Sequence, residues 1–151
     1  MKIVLASVVS RRARSKAEGV DKMVADYTQR AGRYVPVETL LAESEAALLA
    51  AAERQPGRPA AYLVLLDSRG QTFSSEEFAQ FVGRQQDGGT QRMLLGIGPA
   101  DGWSDGARKQ AQTLFSLGRI TLPHELARVV LAEQVYRALT ILAGHPYHGG
   151  H

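Results

Sequence analysis

The last third of the chain concentrates side chains with chemistry to offer. His124 and Arg128 open an apolar stretch, Glu133-Gln-Val-Tyr-Arg137 interrupts it, and His145-Pro-Tyr-His148 follows it. An imidazole exchanges protons near neutral pH, a guanidinium holds anions, and a phenol both stacks and hydrogen-bonds. Glu133 and Arg137 are spaced i,i+4, so they are expected to pair with each other or across an interface. Arg128 falls on the helical face of Leu131 and Val135, where a charge is costly unless paired. Either Glu125 satisfies it, or it faces a pocket and holds an anionic group. His145, His148 and His151 recur at threes, but a tail with Pro and Gly does not fix three imidazoles in a tetrahedron, and no carboxylate follows. No metal site is expected there.

A second informative stretch is Gly96-Ile-Gly-Pro-Ala-Asp-Gly102. Its spacing is G-x-G-x-x-x-G rather than the dinucleotide pattern, Pro99 removes an amide donor, and no Walker lysine follows. The absence of cysteine excludes disulfides, thiolate metal sites and a cysteine nucleophile, and fits a reducing compartment. Arginines follow the first apolar run, the reverse of a secretory signal, and no run reaches the ~20 residues that span a bilayer, so a cytoplasmic protein is expected. A net charge of +3 is compatible with a nucleic-acid partner without arguing for one.

These residues need elements to hold them. A chain of 151 residues suits one domain over 1–151, large enough to bury roughly 68–70% of its unfolded surface. Apolar runs predict strands at 2–9, 35–41, 61–66 and 91–97, with a short last one at 119–122. Helices are expected over 18–33, 43–54, 75–85 and 105–117, and again after Pro123. The pair Ser74-Ser75 followed by glutamates is a helix-start signal. Strands alternate with helices, which predicts an α/β fold with a largely parallel sheet. Ligands in such sheets sit beyond the carboxyl ends of strands, so the loops after Leu66, after Ile97 and around 117–122 should converge.

Three segments carry a resemblance: LLDSRGQTFSSEEFA (65–79), GIGPADGWS (96–104) and SLGRITLPHELARVVLAEQVYRALTILAGHPYH (116–148). The chain from about Tyr27 onward resembles the ribosomal large-subunit pseudouridine N3-methyltransferases, the RlmH family of the knotted SPOUT class. The resemblance implies a Rossmann-like α/β domain with a trefoil knot over about 94–142 and a tail at 143–151. It also implies S-adenosylmethionine as cofactor, with Leu66, Gly98, Leu117, Gly118, Arg119, Ile120, Thr121 and Leu122 as its contacts. Adenine needs apolar walls and is readable by backbone N–H and C=O groups, which a close-packed loop holds in place.

The reaction implied is in-line displacement at the cofactor methyl by N3 of a pseudouridine in 23S ribosomal RNA, on the assembled ribosome. Alignment and removal of the imide proton are the main demands. His148 is the candidate base, and Tyr147 would stack on the exposed base. Arg128, which the resemblance places near the cofactor, and Arg137 would hold the imide anion or a phosphate. Leu131, Val135, Leu139 and Leu142 share one helical face, whereas Leu126, Val129 and Val130 lie on the other with Glu133 and Arg137. A sheet covers one face only, and the resemblance supplies a homodimer for the second. The rival reading is a non-catalytic RNA-binding or ribosome-assembly protein.

Overall fold

The computed structural model describes residues 1–10 and 18–149, without the side chain of His148, so the basic run at 11–16 lies outside the described residues. In chain order the elements are β1 Lys2–Val8, α1 Glu18–Ala31, β2 Val37–Ala42, α2 Glu45–Ala52, β3 Tyr62–Thr72, α3 Ser75–Asp87, β4 Arg92–Ile97, α4 Asp105–Gln110, β5 Thr113–Ser116 and α5 His124–Leu142. A 3-10 turn, Pro146–Gly149, follows α5. The strands form one sheet in the order β2-β1-β4-β3-β5, and every neighbouring pair is parallel.

Alternation along the strands builds two cores. Ile3, Leu5, Val64 and Leu95 point to the face covered by α1, α3 and α5, where they meet Val24, Phe78, Val82, Leu131, Val135 and Leu139. Val4, Ala6, Leu63, Leu65 and Leu94 point to the opposite face, against Leu48 and Leu49 of α2, Trp103 and Ala107. A sheet buried on both faces explains why its strands read as continuous apolar runs. The helix starts are fixed by local chemistry. Ser74 caps α3 by accepting from Glu77 N, and the Glu77 carboxylate returns a bond to Ser74 N at 2.8 Å.

Two expectations are corrected by the sheet. The helix expected over 105–117 stops at Gln110, and the last strand is Thr113–Ser116 rather than 119–122. Long-range pairing with β3 decides this: Gln112 N donates to Leu63 O at 2.9 Å, Leu63 N donates to the Gln112 side chain at 2.6 Å, and Tyr62 and Thr113 share a hydroxyl contact of 2.7 Å. Residues 119–122 are thereby left as a loop. On α5, Leu131, Val135 and Leu139 are buried as expected, but Leu142 at the helix end is 43% exposed. Val129 and Val130 are half-buried, and Leu126 is 51% exposed.

Candidate active site

β4, β3 and β5 are neighbours in the sheet, so their carboxyl ends open onto one place. A cavity of about 660 Å³ lies there. Its first wall comes from an irregularity in β3. Phe115 of β5 pairs with both Leu66 and Gln71, so residues 67–70 are pushed out of the ladder, and 67–69 join the cavity lining. Gly70 is what allows this, because a Cβ there would lie 2.4 Å from the Leu114 carbonyl carbon. The Asp67 side chain is only 6% exposed. Its carboxylate accepts from Arg108 Nε and from Arg69 N, each at 2.8 Å. Burial pushes that carboxyl up, but the two hydrogen bonds together with the charges of Arg108 and Arg69 outweigh it and hold the group below its ordinary range.

The second wall is the loop between β4 and α4. Trp103 Nε1 donates to Leu66 O at 2.8 Å, tying this loop to β3 just before its irregularity. The indole lies against Gly98, where a Cβ would come within 2.7 Å of the ring. Gly102 turns the loop with φ +88° and donates to Pro99 O at 2.9 Å. Ser104 then caps α4, while Glu45 of α2 accepts from its N–H at 2.8 Å and its hydroxyl at 2.7 Å.

The third wall is the segment after β5. Gly118 has φ +127°, a conformation that favours glycine, and its carbonyl accepts from Ser116 Oγ at 3.0 Å. Among the described residues, the backbone groups of Arg119, Ile120, Thr121 and Leu122 form no hydrogen bond within the chain. Ile120 is 80% exposed at the cavity lining. Leu66, Gly98 and the whole of 117–122 are therefore gathered around one cavity, with His124 and Ala127 of α5 beside them.

Arg128 is placed elsewhere. Its side chain is 6% exposed, and its guanidinium pairs with Glu125 at 3.0 Å and with Asp21 of α1 at 2.9 Å. It is absent from the cavity lining. Of the two alternatives for this residue, the geometry favours pairing over the pocket-facing one, because a cation between α1 and α5 needs carboxylates and Asp21 supplies the second. Arg137 and Tyr147, by contrast, are brought together. Tyr147 Oη donates to Glu133 at 2.7 Å, Arg137 Nη2 donates to the same oxygen at 2.9 Å, and the guanidinium sits 5.1 Å from the Tyr147 ring centroid. Tyr136 meets that ring edge-on at 4.7 Å. His148 belongs to the same turn, and its side chain lies outside the described residues. From Ala127 at the cavity to Glu133 the helix rises roughly 9 Å, and none of Glu133, Arg137 or Tyr147 lines the cavity.

Several contributors were not anticipated. Trp103 is the sole tryptophan and directly follows the glycine loop, a signal available in the sequence. Asp67 follows an apolar strand at its carboxyl end, where a polar residue merits notice. The Glu133–Tyr147 contact spans 14 residues and left no periodic trace. No group of three or more His, Asp or Glu able to hold a metal ion occurs among the described residues.

Comparison with known proteins bears on the same regions. A family model described as a predicted SPOUT methyltransferase matches residues 1–148. A relative from Koribacter versatilis named ribosomal RNA large subunit methyltransferase H is 50% identical over 138 residues, covering 91% of this chain and 94% of its own. A protein of the same name from Xanthobacter autotrophicus is 50% identical over 111 residues, covering 74% and 66%. Among solved structures, a probable methylase family protein from Haemophilus influenzae Rd KW20 superposes with a TM-score of 0.51 at 11% identity, over 97% of this chain and 69% of that one, a likeness of fold alone. With a parallel α/β sheet, a cavity at its carboxyl edge and relatedness along nearly the whole chain, this protein belongs to the SPOUT methyltransferases, in the family of ribosomal RNA large subunit methyltransferase H.

Proposed function

We propose that this protein is a cytoplasmic homodimer that transfers a methyl group from S-adenosylmethionine to N3 of a pseudouridine in 23S ribosomal RNA, acting on the assembled ribosome. The observation that carries the reading is the cavity of about 660 Å³ whose third wall presents unpaired backbone groups at 119–122 between apolar side chains. That surface fits an adenosine: Leu66, Leu117, Ile120 and Leu122 supply apolar walls, and the free N–H and C=O groups can read the base edge. The cofactor supplies an electrophilic methyl on a sulfonium. Everything else falls to the chain. Leu66, Gly98 and 117–122 hold the donor, and the ties through Trp103 and Asp67 keep the loops from closing on it.

In this reading Tyr147 meets the exposed base, His148 takes the imide proton, and Arg137 faces the developing anion or a phosphate. Tail and cavity stand apart within one chain, so the substrate base and a second copy join them. The exposed Ile120 at the cavity and, on one face of α5, the exposed Leu126 with the half-buried Val129 and Val130 offer apolar surface for that copy. We read 1–151 as one domain and 94–142 as its knotted part, following the family. A non-catalytic ribosome-binding role is disfavoured by the open cavity, which such a protein has no need to keep.

The test is single-turnover methylation of ribosomes with mass-spectrometric mapping of the product. Methyl-pseudouridine in 23S RNA, with binding of S-adenosylmethionine seen in Trp103 fluorescence, is expected. Absence of transfer to ribosomes and to large-subunit RNA alike overturns the reading, and faster transfer to naked RNA overturns the ribosome assignment.

A further inference from the structure

The Glu133 carboxylate is a junction. Its Oε2 accepts from Tyr147 Oη at 2.7 Å and from Arg137 Nη2 at 2.9 Å, Arg137 Nε reaches both oxygens at 3.2 Å, and Gln134 Nε2 donates to Oε1 at 2.8 Å. Gln134 in turn accepts from Ser75 Oγ, at the start of α3, at 2.8 Å. A line of hydrogen bonds thus runs from the first turn of α3 through α5 to the tail. The Glu133 and Arg137 side chains are 17% and 14% exposed, so the junction is largely shielded from solvent. A carboxylate has about four acceptor sites, and these donors fill them.

The polarity of the contact has a chemical consequence. An ionised carboxylate only accepts, so the Tyr147 hydroxyl must donate its proton to Glu133, and only oxygen lone pairs remain for anything that approaches. Burial and that bond push the phenol up from 10.0 to about 12, opposed by Arg137. For Glu133, burial pushes the carboxyl up while Arg137 and Tyr147 pull harder, leaving it below its ordinary range. The ring cannot swing freely either, with Tyr136 at its edge and the Arg137 guanidinium over it.

We propose that Glu133 is a positioning residue for methyl transfer: it fixes Tyr147 as a neutral phenol that offers its oxygen as an acceptor to an N–H of the substrate base, and it aims Arg137 at the same place. The inference rests on the function proposed above and concerns the chemical step, not the binding of cofactor.

Glu133→Gln keeps the size and one acceptor oxygen but removes the charge. With saturating S-adenosylmethionine, its single-turnover rate on ribosomes is expected to fall by about tenfold or more, while the cofactor Kd read from Trp103 fluorescence stays within about twofold of wild type. Carbon-13 NMR of labelled tyrosine should show the Tyr147 transition moving from about 12 toward the ordinary 10.0. Tyr147→Phe should slow the reaction comparably, and the double variant should be no slower than the slower single one, because both act through one contact. A wild-type rate in Glu133→Gln whose Tyr147 transition has moved overturns the inference. So do losses that multiply in the double variant. Should Glu133→Gln also lose cofactor binding, Tyr147→Phe decides, and a wild-type rate there overturns it. A wild type that methylates no ribosomal RNA but shows the high Tyr147 transition overturns the proposed function instead, and with it the role of Glu133 in the reaction.

Discussion

The cavity and the tail are built from different materials. The cavity walls are mostly main chain, set by glycines and by side chains that fit without room to spare: Gly70 against Leu114, Gly98 against Trp103, the indole hydrogen on Leu66 O. The tail is set by charge, with Glu133, Arg137 and Tyr147 sharing one carboxylate. A packed wall is intolerant of volume and indifferent to most changes of pH. A charged junction tolerates small changes of shape and responds to the loss of a proton or a charge. The cavity also carries an ion pair, Asp67–Arg108, and it is the natural place for the contrast to fail.

Volume gives the largest effect. Gly70→Ala puts a methyl group 2.4 Å from the Leu114 backbone, and Leu114 is itself held in the ladder with Leu65. It should destabilise the fold by about 3 kcal/mol or more, read from urea midpoints. A loss under about 1 kcal/mol would mean the wall is softer than its packing implies. Gly98→Val meets a side chain rather than backbone, so Trp103 can shift. A loss of roughly 1–3 kcal/mol is expected, together with a change in Trp103 fluorescence and the disappearance of S-adenosylmethionine binding. Unchanged stability with lost binding would show that Gly98 faces the ligand and not the indole.

Titration gives smaller effects with opposite signs at the two sites. The Asp67 carboxyl is lowered in the folded chain, so its contribution is present above the ordinary value of 3.8 and is lost as the pH falls below it. Asp67→Asn should flatten the acid limb of the stability curve, and an identical limb in the variant would remove the pair from that account. The Tyr147 hydroxyl is raised, so its contribution is complete below 10.0 and lost as the pH rises toward about 12. Tyr147→Phe should therefore be insensitive in that window, where wild-type α5 loses its hold on the 3-10 turn, followed by amide exchange at residues 147–149.

How much of this was open to a reader of the sequence depends on range. Strands β1, β3 and β4 contain the apolar runs 3–6, 62–66 and 93–97, and the Ser74–Glu77 capping box is a local device, so both were legible. The last strand was not. Lys109-Gln-Ala-Gln has good helix formers and Ile120-Thr121 is β-branched, yet Gln112 and Thr113 bond to residues about fifty positions earlier and settle the matter through β3. The same holds at the site. The loops of the cavity could be named because sheet topology sends them to one edge, whereas Arg128 pairs with Asp21 of another helix and Tyr147 with a residue of the preceding one. Charge pairing between elements has no period to betray it.

The irregularity in β3 has a consequence of another kind. Phe115 is paired on both sides of the outlying residues 67–70, and the ladder resumes at Thr72 and Ser116. The sheet therefore closes above and below this segment whatever the segment contains, provided that its last residue can pass Leu114. Ser68 and Arg69, both exposed, form a detachable panel of the cavity, mounted on a frame that Asp67 and Gly70 complete. A library that randomises those two positions while keeping Asp67 and Gly70 should yield folded proteins at high frequency, and the polarity of the pocket becomes something an engineer can redraw without touching the core.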